Sequence, residues 1–150
     1  MVEAIEVAVG VLAERGADGV WQVLIARRPH DGVLGGYWEF PGGKCEADET
    51  LRQCVVREFE EELALQVAVT QTLTHIEHSY DHGYIRLHAY LCEHVAGEPK
   101  AIAVTEFRWV NVDTLPTYRF PPANDALLDR IRVVLSEDEG NDVVEADAQS

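Results

Sequence analysis

The segment GGKCEADETLRQCVVREFEEELAL, residues 42–65, decides the fold, because a glycine-rich turn runs directly into a strongly patterned helix. Thr50 followed three residues later by Gln53 is the pattern of a capping box, so the helix is predicted to begin at Thr50. Apolar residues then recur every four positions and predict the stripe that packs on a sheet: Leu51, Val55, Phe59 and Leu63. The segment therefore predicts a glycine loop followed by an amphipathic helix.

The same segment holds seven acidic residues between Glu46 and Glu62, against two arginines. Glu58, Glu61 and Glu62 stand at i, i+3 and i+4, so they share one helical face about one turn long. Like charges at this spacing repel by only about 0.2–0.5 kcal/mol per pair, so a plain solvated face is one interpretation. The other is an oxygen cage, since Mg²⁺ and Mn²⁺ bind carboxylates together with substrate phosphates.

The elements on either side of this helix predict an α/β domain with a mixed sheet covered on both faces. Alternating or β-branched apolar runs predict five strands, at 5–13, 21–28, 66–79, 84–94 and 105–112. Residues 29–43 are predicted to form a loop punctuated by Gly and Pro, and a turn is predicted near 81–83. A second amphipathic helix is predicted at 124–135.

Length and charge narrow the functional classes. With 150 residues, the chain is expected to form one domain over 1–136, followed by an acidic tail, 137–150, that is expected to be disordered. A net charge of −15 without a basic stripe disfavours polymeric nucleic acid as a partner, whereas a divalent cation can supply the charge that a small phosphorylated ligand needs. Since no apolar run approaches the roughly 20 residues that span a bilayer, we expect a cytoplasmic protein without a membrane partner, either monomeric or homodimeric.

Cysteine and histidine residues give no familiar metal motif. The three cysteines lack C-x-x-C spacing and are expected to be ordinary reduced thiols. His75, His78 and His82 lie close together in the sequence, but positions 75 and 78 of a strand face opposite sides. A structural or ligand-lining role is therefore favoured over a zinc site.

Gly43, Glu49 and the run REFEEELAL (57–65) resemble the Nudix box of the Nudix hydrolase family, G-x5-E-x7-R-E-U-x-E-E-x-G-U with U apolar. Every fixed position fits but one, because Ala64 stands where the family has Gly. The runs IEVAVGVLA, IARRP, YWEFPGGK and FPPAN resemble the MutT-type branch in matching order. The resemblance implies a Nudix fold over 1–136, an α/β/α sandwich with a mixed β-sheet.

The resemblance also implies roles for the acidic segment. Glu58, Glu61, Glu62 and the backbone carbonyl of Gly42 are expected to bind Mg²⁺ or Mn²⁺. Glu49 and Arg57 are expected to support these ligands, Arg57 by neutralising and orienting the carboxylates. The MutT-like branch often places its general base on a loop that is shorter in this chain, so Glu61 is ranked first as the base and Glu106 second.

Substrate contacts follow from the same resemblance. Arg28 is expected to meet a phosphate, and Phe40 and Asn124 are expected to contact the base. Glu39 is grouped with them as a substrate-binding residue. An amide suits base recognition because it both donates and accepts hydrogen bonds.

The implied reaction is hydrolysis of a nucleoside diphosphate linked to another group, which converts a triphosphate to the monophosphate and pyrophosphate. The favoured substrate is 8-oxo-dGTP, in nucleotide-pool sanitising and DNA repair, with CTP or dCTP next. ADP-ribose and dinucleoside polyphosphates stay open, since the box encodes the pyrophosphate chemistry and leaves the attached groups unspecified. The loop before the box also resembles the C-terminal domain of adenine-specific mismatch glycosylases, which makes a non-catalytic base-recognition module the alternative class.

Overall fold

The computed structural model describes residues 4–29, 35–80 and 83–136. Within these ranges, seven strands form one sheet: β1 Ala4–Arg15, β2 Trp21–Arg27, β3 Trp38–Glu39, β4 Gly42–Lys44, β5 Gln66–Tyr80, β6 Gly83–Ala96 and β7 Glu106–Asn111. Helix α1 spans Leu51–Leu63, and the described part of helix α2 covers 125–136. Two short 3-10 helices lie between β7 and α2, at Val112–Thr117 and Pro122–Asn124.

Strand β1 organises the sheet. It pairs in parallel with β6 and antiparallel with two other strands, β4 near its start and β2 near its end. Strands β3 and β7 both pair antiparallel with β2, and β5 pairs antiparallel with β6. The sheet is therefore mixed, as predicted, and β1 lies between the glycine turn on one edge and β6 on the other.

Alternate side chains of β1 enter two different cores because successive residues of a strand face opposite sides. Val9 and Val11 belong to the core that α2 covers with Leu127, Ile131, Val134 and Leu135. Ala8 and Leu12 belong to the other core, which contains Val55, Phe59 and Leu63 of α1. One helix covers each face of the sheet, which confirms the sandwich and the apolar stripe.

Close packing of α1 on the sheet depends on Gly10. A Cβ at this position would lie 2.5 Å from Cε2 of Phe59 and 2.8 Å from Cγ1 of Val55. These distances are far below the van der Waals contact of about 3.5–4.0 Å between carbon atoms. The absence of a side chain at Gly10 therefore allows α1 to pack close to the sheet. The same packing sets the distance between the sheet and the acidic residues that follow Phe59.

The predicted strands and helices are confirmed, and the ends of the strands and the first residues of both helices lie within two residues of the prediction. The prediction of a loop for 29–43 was wrong in part, because β3 and β4 lie within it. These strands have two and three residues, and they form because β2 and β1 offer backbone partners from elsewhere in the chain. Residues 30–34, the turn residues 81–82 and the acidic tail lie outside the described residues. In the described ranges, no helix is both long enough and apolar enough to cross a membrane.

Candidate active site

Two glycines bring the β4 backbone against the end of α1. The amide of Gly42 donates to Oε2 of Glu62 at 3.0 Å, and a Cβ on Gly42 would lie 2.2 Å from the carbonyl oxygen of Ala8. A Cβ on Gly43 would lie 2.9 Å from Oε1 of Glu58. At Gly42 the contact is with backbone, so no side chain larger than hydrogen fits, whereas a side chain at Gly43 would displace the Glu58 carboxylate.

The three predicted metal-binding carboxylates differ in exposure. Glu62 is 9% exposed, whereas the side chain of Glu58 is 15% exposed and that of Glu61 is 59% exposed. Burial is the main cause that raises the pKa of Glu62 to about 9, and the neighbouring carboxyl groups of Glu58 and Glu39 raise it further. A divalent cation at this point would supply the opposite charge that the buried carboxylates lack.

Arg57 links the glutamates of the box. Its Nε and Nη2 form a two-point ion pair with Glu49, at 3.0 and 2.7 Å. Its Nη1 donates to Oε1 of Glu58 and to Oε2 of Glu61, both at 3.0 Å. The bonds from Arg57 lower the pKa of Glu49 to about 2, and the hydrogen bond to Glu49 raises the pKa of Arg57 itself. Arg57 therefore stays charged and holds two of the three candidate ligands in place.

A cavity of about 620 Å³ opens beside the glycine turn. Strand residues from β1, β5 and β6 form its apolar wall: Val7, Val9, Ile76, Ile85 and Leu87. Polar and ionisable groups lie around this wall: Arg28, Glu39, Lys44, His78 and Asn124. Since Gly42 and Gly43 also line the cavity, it extends from an apolar pocket to the backbone beneath Glu58 and Glu62.

Two charged side chains of the cavity form an ion pair with each other. Nη1 of Arg28 lies 3.1 Å from Oε2 of Glu39. Burial nevertheless raises the pKa of Glu39, with a further contribution from Glu58. The ring of Phe40 is buried and stacks on Phe120 with 5.2 Å between the centroids, which leaves little of the ring facing the cavity.

The structure brings together most of the residues that the sequence singled out. Arg28, Glu39, Phe40, Gly42 and Asn124 line the cavity, and the carboxylates of α1 adjoin its glycine end. Glu106 lies elsewhere, outside the cavity lining. It forms ion pairs with Arg27 at 3.0 Å and with Arg108 at 3.4 Å.

Sequence reasoning missed Lys44 and most of the apolar wall. The alternation of IEVAVGVLA does place Val7 and Val9 on one face of β1. It does not say which face of the sheet carries the cavity, because that depends on where α2 packs. His78, for which a ligand-lining role was one of the favoured alternatives, does line the cavity.

Known proteins share both the sequence pattern and the fold. The family model of the NUDIX domain matches residues 8–130. An 8-oxo-dGTP diphosphatase of Escherichia coli is 30% identical over 128 residues, covering 85% of this chain and 96% of the relative. A CTP pyrophosphohydrolase of the same bacterium is 31% identical over 125 residues, covering 83% of this chain and 89% of the relative.

A solved structure agrees with these matches. The solution structure of the E. coli ORF135 protein is similar, with a TM-score of 0.79 and 29% identity, over 91% of this chain and 94% of that one. The family match includes the glycine turn, all of α1, Val9 of β1 and the cavity residues of β5 and β6. The chain therefore belongs to the NUDIX domain family and is a hydrolase of its MutT-like branch.

Proposed function

We propose that this enzyme hydrolyses a nucleoside triphosphate to the monophosphate and pyrophosphate, with 8-oxo-dGTP as the favoured substrate and CTP or dCTP next. The observation that carries the proposal is the cavity, which joins an apolar wall and polar side chains to the glycine turn beside Glu58 and Glu62. The E. coli relatives, named for 8-oxo-dGTP and CTP, support this choice of substrates. Cytoplasmic sanitising of the nucleotide pool is the setting that we infer.

The residues at the end of α1 fit a hard divalent cation, Mg²⁺ or Mn²⁺. Glu58, Glu61, Glu62 and the carbonyl of Gly42 offer only oxygen, which such ions prefer. The buried Glu62, together with the Glu58 carboxylate that lies against the Gly43 backbone, supports an ion in this place. When bound, the ion supplies charge neutralisation at the phosphate oxygens and activation of water.

Side chains of this protein position the metal ligands and accept the proton from water. Arg57 holds Glu58 and Glu61 in position through its Nη1. We propose Glu61 as the general base, since its side chain is the most exposed of the three carboxylates and, among the described residues, one arginine engages it, at Oε2. Glu106 ranks second because two arginines already engage it.

The cavity residues are proposed to select the nucleotide. Arg28 can donate to a phosphate through the guanidinium nitrogens that Glu39 leaves unused. Asn124 can both donate to and accept from a purine or pyrimidine edge, and Glu39 can accept from a base amino group. Phe40 can contribute ring edge or backbone atoms, because its ring face packs on Phe120.

Product analysis with Mg²⁺ tests the proposal across a panel of 8-oxo-dGTP, dGTP, CTP, dCTP, ADP-ribose and diadenosine tetraphosphate. We expect pyrophosphate release from one triphosphate, and a fall in kcat of about 10²–10⁴-fold in Glu61→Gln. Glu60→Gln is the matched control, since Glu60 is an exposed carboxylate on the same helix that points elsewhere.

Two other outcomes would redirect the assignment. Turnover of ADP-ribose or diadenosine tetraphosphate alone would replace the triphosphate by another nucleoside diphosphate derivative. Binding of one nucleotide without turnover of any would support the base-recognition module in place of the enzyme reaction proposed here.

A further inference from the structure

A second group of potential metal ligands lies beside the first part of α1. The Sγ atoms of Cys45 and Cys54 and a carboxylate oxygen of Glu49 all lie within 4.8 Å of one another. Cys54 is fully buried, and Cys45 and Glu49 are partly buried. Neither thiol is assigned a part in the hydrolysis proposed above.

The geometry of the group matches a small tetrahedral site. Zinc–sulfur bonds of about 2.3 Å at tetrahedral angles put two sulfur ligands about 3.8 Å apart, and a sulfur and an oxygen ligand about 3.6 Å apart. Since the three donors lie within 4.8 Å of one another, each pair needs to close by at most about 1.2 Å. The carbonyl oxygen of Gly43 lies 3.6 Å from Sγ of Cys54, which is the separation expected for a fourth ligand.

The donor types also distinguish this group from the all-oxygen cluster at the other end of the helix. Two thiols and one carboxylate favour a thiophilic ion such as Zn²⁺ or Cd²⁺, whereas Mg²⁺ and Mn²⁺ prefer oxygen alone. Nη2 of Arg57 lies 3.9 Å from Sγ of Cys54. Burial raises the pKa of the Cys54 thiol, so a cation that binds here has to displace the thiol proton.

We propose that Cys45, Cys54 and Glu49 form a second metal site, selective for a thiophilic divalent cation and separate from the Mg²⁺ or Mn²⁺ site. Binding forms two metal–sulfur bonds and one metal–oxygen bond, and both thiol protons leave to the solvent buffer. No electron is transferred, so no oxidant is needed.

A metal ion bound at this site would affect Glu58 and Glu61, because Arg57 links both of them to Glu49. Glu49 is the two-point partner of Arg57, and Arg57 in turn holds Glu58 and Glu61. A cation that takes an oxygen of Glu49 weakens that pair and releases Arg57 from its position. The site therefore acts as an inhibitory metal sensor, a consequence that rests on the proposed function, whereas metal binding itself does not.

Cadmium titration of the reduced, metal-free chain tests the binding. Sulfur-to-cadmium charge-transfer absorption in the ultraviolet reports thiolate ligation, which the carboxylate cluster cannot produce. We expect saturation at one Cd²⁺ per chain and no displacement by excess Mg²⁺. Cys45→Ala and Cys54→Ala are expected to weaken binding by roughly 100-fold or more, since even indirect partners of a ligand change affinity by about 10–100-fold.

Cys92→Ala is the matched control, because Cys92 is also buried but lies outside the group. It is expected to bind Cd²⁺ like the wild type, and thermal unfolding of all three variants verifies that each folds. The partly exposed Cys45 gives the variant least able to disturb the core. Absent charge-transfer absorption, or absorption that survives in Cys45→Ala, would overturn the site.

Zinc inhibition tests the consequence separately. At saturating Mg²⁺ and one or two equivalents of Zn²⁺, we expect wild type and Cys92→Ala to lose most of their turnover while Cys45→Ala retains it. Equal inhibition of all three would overturn the sensor role and locate the Zn²⁺ effect at the oxygen cluster. If no nucleotide is turned over at all, the proposed function fails, and the cadmium titration still decides whether the thiol site exists.

Discussion

The two ends of α1 are built in opposite ways. At the start, Thr50 and Gln53 form a reciprocal capping box, with bonds of 3.1 and 2.8 Å between side chains and backbone amides. At the end, Ala64 adopts the left-handed conformation with φ of 57°, which residues with a Cβ rarely occupy. The helix thus begins with favourable local chemistry and ends under strain.

The charges repeat this contrast. Glu58, Glu61 and Glu62 occupy the last turns of α1, and no basic residue lies in the last turn. The carboxyl end of a helix carries partial negative charge, so these glutamates oppose the helix dipole as well as one another. The comparison teaches that the stable end anchors the helix, while the strained end supplies the groups that a cation would stabilise.

The largest expected effect comes from neutralising the buried member of the cluster. Glu62→Gln keeps the shape of the side chain and removes a charge, so kcat should fall by about 10²–10³-fold. The metal-free chain should meanwhile be at least as stable as wild type, because folding no longer requires the buried carboxyl group to take up a proton. Steady-state kinetics and thermal unfolding with a chelator measure both. Loss of activity together with a large loss of stability would mean that Glu62 is a structural residue.

The free energy of unfolding of the metal-free chain should depend on pH, because the strained end of α1 carries the buried Glu62. Burial raises the pKa of Glu62 from its ordinary 4.5 to about 9, so the folded chain retains a proton that the unfolded chain has released. Between about pH 5 and 9 the free energy of unfolding should therefore fall as pH rises, by up to about 1.4 kcal/mol per pH unit. Denaturant titrations with a chelator at several pH values measure the slope. Glu62→Gln should flatten it and Glu60→Gln should not.

At the other end of the helix, Thr50→Ala removes the capping box. The expected cost is about 1 kcal/mol, which lowers the unfolding midpoint by about 2–4 °C in a chain of this size. Turnover at a temperature well below the midpoint should be unchanged, because the acidic cluster lies at the opposite end. A large fall in turnover in the folded variant would show that the two ends are not independent.

The smallest expected effect is an increase in stability. Ala64→Gly relieves the left-handed conformation and restores the residue that the family has, so stability should rise by about 0.5–1 kcal/mol. Differential scanning calorimetry detects the increase in midpoint. Leu65→Ala is not a fair control because Leu65 is buried in the core, whereas Glu60→Gln changes the same turn without touching the strained residue. An unchanged or lower midpoint would mean that other contacts of Ala64 outweigh the strain.

The start of α1 and its apolar stripe could be predicted because their signals are local. Thr50, Gln53 and the four-residue spacing of Val55 and Phe59 all lie within three turns of the chain. The helical period also placed Glu58 and Glu62 on one face. It could not show that Glu62 is buried, since burial depends on the β4 backbone that reaches it from Gly42.

The end of the helix could not be predicted in the same way. The carbonyl of Glu62 accepts hydrogen bonds from the amides of Ile102 and Ala103, and that of Leu63 accepts one from Lys100. Backbone bonds between distant segments leave no pattern of side chains to read. The same limit explains why β3 and β4 were not predicted. The ion pair between Glu106 and Arg27 joins distant parts of the chain, so the sequence alone could not decide whether Glu106 reaches the active site.

Mn²⁺ binding followed by the electron paramagnetic resonance of the free ion tests the central claim, that the strained end of α1 holds a divalent cation. Wild type and Glu60→Gln should remove at least one equivalent of Mn²⁺ from solution with the same affinity. Glu62→Gln should bind it about 10-fold or more weakly. Equal binding by all three chains, or no binding by wild type, would contradict the account.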